Sequence, residues 1–367
     1  MAQAVFSAQS FGACGHEAAN LWLAMLHAQN TRLFNVVSFV VSLIVPQGLL
    51  AQEVDFLGFL FISAPRDSKI SYVKLPRNGD FEGLQPIDLV TTGLHHPQGI
   101  AVDHKRKRLF VADPDVQKVV AYQLEVTGDQ LSVDTRQTVI SEGVESRWVA
   151  VDGLGNVFFS DEPKSKIYKI TMNKILRGNT DPEIMYDGKS LTQVNRPGGV
   201  AVDNFHVFWT NKHFGTESGT IVKGEENLPE DSTNKQTKSL SVLAHNAPKS
   251  YGVCLASNNV FFTDSDERLY GVKKNGGEVY EVSKVFKHPR GCVWDGDGTV
   301  FVADRGSNAV YAFAGNMHRL TKADVAKVFD ADDAFGLAFM AAARRLQSWL
   351  SFAFCIVATS VFRWLDF

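Results

Sequence analysis

Between residues 96 and 124 the chain reads HPQGIAVDHKRKRLFVADPDVQKVVAYQL, three short apolar runs separated by polar, turn-forming breaks. Short β-branched or aromatic runs bounded by Gly, Pro, Asn or Asp predict buried strands. The same register returns as WVAVDGLGNVFFSDEPKSKIYKI from Trp148, GVAVDNFHVFWTN from Gly199, GVCLASNNVFFTDSDERLYGV from Gly252 and GCVWDGDGTVFVADRGSNAVYAF from Gly291. The pattern is therefore a repeat, and a repeat of this length implies an array of small sheets.

The residue closing the middle run of each unit falls at Asp113, Asp161, Asn211, Asp264 and Asp304, at intervals of 48, 50, 53 and 40 residues. Such spacing suits four strands per unit, the fourth being the weaker run in IDLVTTGL, RQTVISEGV, LSVLAHN or VSKVF. Upstream, LFISAPRDSKISYVKL (60–75) aligns without gaps to LFVADPDVQKVVAYQL (109–124), but no GIAVD-like strand precedes it. That strand is supplied by FGLAF, Phe335 to Phe339, at the other end of the domain. The expectation is an all-β, six-bladed β-propeller of four-stranded antiparallel blades over 52–340, its first blade closed by the C-terminal strand. Radial stacking buries faces that one small sheet would leave open and removes its edges.

In a ring of this kind, the loops entering the innermost strands gather around the axial channel. Three positions before the recurring Gly, with Trp148 in the Gly place, the six units carry His96, Glu145, Arg196, Lys249, His288 and Asp333. One position before it they carry Gln98, Arg147, Gly198, Tyr251, Arg290 and Phe335. The near-invariant Asp/Asn column instead reads as a shared structural device that caps turn amides. The varied ring reads as a binding surface in which His96, Gln98, Arg147, Arg196, Lys249, Tyr251, His288 and Arg290 are the candidate ligand residues. Arg forks match carboxylate or phosphate oxygens, and an excess of cations concentrates anions. The expected partner is an acidic peptide, a protein or a small organic anion. The long polar stretch between Asn211 and Leu240 reads as a surface loop that could reach over the mouth with His213.

HPQGIAVD, RPGGVAVD and HPRGCVWD at 96, 196 and 288 resemble NHL-repeat openings, and VFFSD, VFWTN and VFFTD at 157, 207 and 260 stand where the low-density-lipoprotein-receptor family has its YWTD run. The chain thus resembles the six-bladed propellers of the NHL-repeat, YWTD and SMP-30/gluconolactonase-like superfamily over almost all of 57–340. The lactonase branch implies a divalent metal held by acidic and amide side chains. Here the innermost register has no acid, so the reading is no cofactor. The alternative is Ca or Zn on Glu145, Asn195 and Asp333 in a divergent metal-dependent lactonase or esterase. No catalytic residue can be nominated: no GxSxG elbow, HExxH, Walker loop or Rossmann fingerprint occurs.

Lys plus Arg number 37 against 40 Asp plus Glu, and no basic cluster alternates with aromatics, which argues against a nucleic-acid partner. Of four cysteines, Cys254 lies two residues past its Gly and Cys292 one residue past its own. With a side-chain period of two they point to opposite faces, so they read as core cysteines rather than a bridge. Residues 1–51 end in a signal-like or signal-anchor run, RLFNVVSFVVSLIVPQGLLAQ (32–52). Within 341–367, residues 346–365 form a 20-residue stretch interrupted only by Gln347 and Arg363, a membrane-span candidate. Arg344 and Arg345 favour a cytoplasmic propeller, whereas a signal places it in the secretory pathway or outside. The membrane-associated, lumenal or extracellular reading is taken here.

Overall fold

The computed structural model describes residues 56–212, 219–228, 240–245 and 249–342. The signal-like segment 1–51, the span candidate 346–365 and His213 lie outside the described residues. No helix among the described residues is long and apolar enough to cross a membrane.

Among the described residues, twenty-four strands form six four-stranded antiparallel sheets. Blade 1 combines β1 (Phe56–Ala64), β2 (Lys69–Pro76) and β3 (Ile87–Val90) with the last strand among the described residues. Blade 2 holds β4 (Ile100–Asp103), β5 (Arg108–Asp113), β6 (Lys118–Thr127) and β7 (Gln130–Glu142). Blade 3 holds β8 (Ser146–Val151), β9 (Val157–Asp161), β10 (Lys166–Ile170) and β11 (Glu183–Asp187), and blade 4 holds β12 (Pro197–Val202), β13 (His206–Asn211), β14 (Ile221–Glu225) and β15 (Ser241–Ala244). Blade 5 holds β16 (Ser250–Ala256), β17 (Asn259–Asp264), β18 (Leu269–Lys273) and β19 (Tyr280–Ser283). Blade 6 holds β20 (Pro289–Trp294), β21 (Thr299–Asp304), β22 (Ala309–Ala314) and β23 (Ala326–Asp330). Finally β24 (Leu337–Ala341) pairs with β1, Leu60 opposite Phe339 and Ile62 opposite Leu337, closing blade 1. Each innermost strand touches the next, from β4 through β8, β12, β16, β20 and β24 back to β4.

A belt of hydrogen bonds joins the blades near the start of these innermost strands, and it comes in two forms. Where the residue before the Asp column is Ala112 or Ala303, the Gly99 or Gly291 N–H donates directly to the next blade, to the Arg147 carbonyl at 2.9 Å or the Phe335 carbonyl at 2.8 Å. Where that residue is Thr210 or Thr263, its hydroxyl is inserted. It accepts from Gly199 or Gly252 N–H at 2.8 or 3.0 Å and donates to the Tyr251 or Arg290 carbonyl at 2.8 or 2.7 Å. Ser63 does the same between Gly336 N–H and the Gln98 carbonyl. The recurring Gly is required for this approach, because a Cβ on Gly252 would lie 2.1 Å from the Arg290 carbonyl oxygen.

The Asp column does more than cap the following turn. Asp113 accepts from the His95 and His96 amides at 2.7 and 3.0 Å, and Asp304 accepts from those of Lys287 and His288 at 2.8 and 2.6 Å, so each pins its entrance loop. Between blades the core repeats as well. Ala101 and Val149, Ala150 and Val200, and Ala201 and Val253 meet in successive inter-blade clusters, and Cys254 and Cys292 occupy the same pair of positions.

Those two cysteines form a disulfide, which corrects the sequence expectation. Pointing to opposite faces excludes a bridge within one sheet. In stacked blades, however, the right face of one sheet looks at the left face of the next, so opposite-facing residues on neighbouring blades meet. A second correction concerns blade 4, where the polar stretch read as loop contains the strand β14, whose Ile221 and Val222 are fully buried. A short helix, α1 (Met172–Leu176), also sits between β10 and β11, capped by Thr171.

Candidate functional site

The belt brings the residue before each recurring Gly to the inner rim, and Asp113 and Asp304 hold His96 and His288, two positions further back. Arg147, Tyr251 and Arg290 are half-buried there, Gln98 is buried, and Arg196 and His288 are exposed. Arg196 and Asp333 adopt left-handed backbone conformations, φ 48° and 49°, unfavourable for residues with a Cβ.

Three predicted ring residues, Arg147, Arg196 and Tyr251, are contacted by two that the sequence reading missed, Glu162 and Lys212. Each directly follows the Asp column, in blades 3 and 4. Glu162, 8% exposed, has Lys212 Nζ at 3.0 Å, Arg196 Nη2 at 3.1 Å and Arg147 Nε at 2.8 Å from its carboxylate oxygens. Arg147 Nη2 also donates to Glu145 at 2.8 Å. Burial pushes the Glu162 carboxyl up, but the charge and hydrogen bond of Lys212, with Arg147 and Arg196, outweigh it and hold the pKa below the usual value. Burial lowers Lys212 to about 8 despite its bond to Glu162.

Beside this cluster, Tyr251 is covered by two cations, the Arg290 guanidinium 4.2 Å and Lys212 Nζ 5.4 Å from its ring centre. Arg290 forms no ion pair among the described residues. Its one side-chain bond runs to the carbonyl of its own neighbour Pro289, and burial pulls its pKa down. Further round, Arg305 bonds Asp333 and lies over Phe335, which packs on Trp148. The buried Gln98 Oε1 and Trp148 Nε1 have no hydrogen-bond partner among the described residues.

Of the alternative metal ligands, both carboxylates have other engagements. Glu145 is bonded to Arg147, and Asp333 to Arg305 and the Arg66 amide; Asn195 is held through its backbone N–H, which donates to Asn211 Oδ1. Among the described residues no three His, Cys, Asp or Glu side chains are grouped as a metal site. Of the remaining candidates, His96 and His288 are held through their backbone amides, and the Lys249 carbonyl accepts from Ser265.

At the opposite end of the same two blades lies a second ionic cluster. Glu226, 2% exposed, is pressed against Asp152, while Lys169 Nζ donates to the Glu226 carbonyl at 3.0 Å and to Asn227 at 2.8 Å. Burial, then the hydrogen bond and charge of Asp152, raise the Glu226 carboxyl to about 8.

No family model and no curated protein matches this chain. Solved structures do. A chain in the crystal structure of a nidogen–laminin complex matches with a TM-score of 0.58 and 16% identity, over 77% of this chain and 98% of that one. TolB from Acinetobacter baumannii matches with a TM-score of 0.52 and 11% identity, over 78% and 67%. At such identities the likeness establishes the propeller fold. It does not choose among the NHL-repeat, YWTD and lactonase-like branches.

Proposed function

We propose that this propeller is a binding module whose channel mouth captures the acidic groups of a peptide or protein partner, or a small organic anion. Arg290 carries the reading: it is a half-buried guanidinium stacked on Tyr251 with no ion pair among the described residues, while Glu145, Glu162 and Asp333 are all matched to cations. A carboxylate arriving at Arg290 gains charge-assisted hydrogen bonds and meets Tyr251 as an apolar wall. Support for a protein partner comes from the nidogen–laminin complex, an assembly containing a propeller of this fold. The Cys254–Cys292 bridge supports an oxidising, secretory or extracellular setting, with 346–365 as the proposed membrane attachment.

Fluorescence anisotropy with a labelled hexaglutamate peptide, competed by citrate, tests the reading on the full chain. Arg290→Gln should weaken capture by about ten- to a hundredfold, the equivalent of roughly 1.5–3 kcal/mol, with an unchanged unfolding midpoint. Equal capture by wild type and variant, or no capture of either probe, rejects it.

A further inference from the structure

Eight large apolar side chains are strongly exposed among the described residues, and their positions are uneven. Ile87, Ile184, Val242 and Tyr280 are on the outermost strands of four different blades, and Val285 is in an entrance loop. The other three, Leu154 (70%), Phe205 (71%) and Leu176 (64%), lie on adjoining segments at the end of blades 3 and 4 away from the mouth. Leu154 and Phe205 are the tips of the β8–β9 and β12–β13 turns, which touch where Gly153 N–H donates to Asn204 Oδ1 at 2.6 Å. Leu176 closes α1, whose first residue Met172 donates its amide to Asn156 of the Leu154 turn at 3.0 Å.

The neighbouring β4–β5 turn of blade 2 is basic, reading His104-Lys105-Arg106-Lys107, and packs on the Leu154 turn, where Arg106 Nη1 would lie 2.5 Å from a Cβ on Gly155. Lys105 and Lys107 are exposed and form no ion pair among the described residues, nor does Arg177 beside Leu176. Protruding apolar tips flanked by unpaired cations match the interface of a membrane whose headgroups are anionic.

An independent observation concerns the chain path. In blade 1 the place of this turn is open, because β24 runs away from the mouth to Ala341 and β1 begins there at Phe56, with Ala342 N–H donating to the Leu57 carbonyl at 2.9 Å. The chain therefore enters and leaves the propeller on this same face, and the sequence beyond those points contains the apolar runs 32–52 and 346–365.

We propose that the face opposite the mouth docks on an anionic lipid surface through the turn tips of blades 2 to 4. It does not rest on the ligand assigned to the mouth. The test uses the full chain carrying Cys14→Ser and Cys355→Ser, the native disulfide kept oxidised, and one added cysteine bearing a fluorophore. The added cysteine replaces Leu154, Phe205 or, as a mouth-side control, Asp266. With phosphatidylserine-containing phosphatidylcholine vesicles, iodide quenching should fall severalfold at 154 and 205 and stay unchanged at 266. Adding Lys105→Glu and Lys107→Glu should restore most of the quenching. Unchanged quenching at 154 and 205, equal shielding on pure phosphatidylcholine, or equal shielding at 266 would overturn the proposal. So would shielding without vesicles that grows with protein concentration, which would assign the face to a second copy.

Discussion

Glu162 and Glu226 sit at opposite ends of the same pair of blades, are almost equally buried at 8% and 2% exposure, and end in opposite protonation states. Burial raises the pKa of both. What separates them is the company each keeps. Glu162 faces Lys212, Arg147 and Arg196 and falls below the usual value; Glu226 faces Asp152 and Asp203, with Lys169 too weak a counterweight, and rises to about 8. A buried carboxyl is thus a charge at the mouth and largely a neutral acid at the other end.

The sharpest way to break this contrast is to remove each charge in turn. Glu162→Gln leaves the buried Lys212 without its carboxylate, while Arg147 keeps Glu145 and Arg196 reaches solvent, and should cost about 3 kcal/mol, the low end of the range for broken buried pairs. Glu226→Gln replaces a group that already carries a proton at neutral pH and should change stability by less than about 1 kcal/mol. Urea midpoints of the two variants provide the check, and equal losses would remove the contrast.

A smaller effect follows pH. Because Glu226 is raised from 4.5 to about 8, the folded protein holds a proton that the unfolded chain has released across that window. Its contribution to stability therefore falls as pH rises from 4.5 to 8 and is flat above. The lowered Glu162 contributes fully above its unfolded pKa and loses that contribution only as pH falls through its folded one. Between pH 7 and 8 the wild type should lose stability, and Glu226→Gln should lose less; parallel curves would contradict the assignment. Above pH 8 the sign reverses at Lys212, lowered from 10.5 to about 8, since the unfolded chain now holds the extra proton and stability rises with pH until about 10.5. Lys212→Met should flatten that rise. Smallest of all, Arg196→Ala, which removes the most exposed member of the Glu162 cluster, should cost under about 1 kcal/mol and less still at high salt, readable from urea midpoints at two ionic strengths.

The ring was legible in the sequence because the Gly and Asp columns each perform one task in nearly every blade, so the same residue types recur at fixed spacing. Closure of blade 1 by residues near Phe335–Phe339 followed from counting strands, and β24 begins two residues later than expected because Phe335 and Gly336 serve as its entrance. The disulfide was hidden by reasoning about one sheet at a time. The facing pairs Ala101/Val149, Ala150/Val200 and Ala201/Val253 show that the second residue past one Gly meets the first past the next. Glu162 and Lys212 had a signal that went unused: the position after the Asp column is Pro65, Pro114 and Ser265 in three blades but Glu162, Lys212 and Arg305 in the others. Glu226 had none, since it lies in an irregular stretch after β14, its acidic neighbours Asp152 and Asp203 come from turns on two blades, and Lys169 comes from β10.

The shared first blade also sets an order of events during synthesis. β1 leaves the ribosome early, whereas its partner β24 follows 281 residues later, counting from Phe56 to Leu337. At about 5–20 residues per second this delay is on the order of 15–55 s. Throughout it, the edge of β1 that will bind β24 presents unpaired amides and carbonyls beside the apolar sequence Phe59-Leu60-Phe61-Ile62, the kind of strand that pairs readily with other chains. Five blades can stack while the sixth waits, so the nascent protein passes through an open arc whose first edge must be shielded until its last strand arrives.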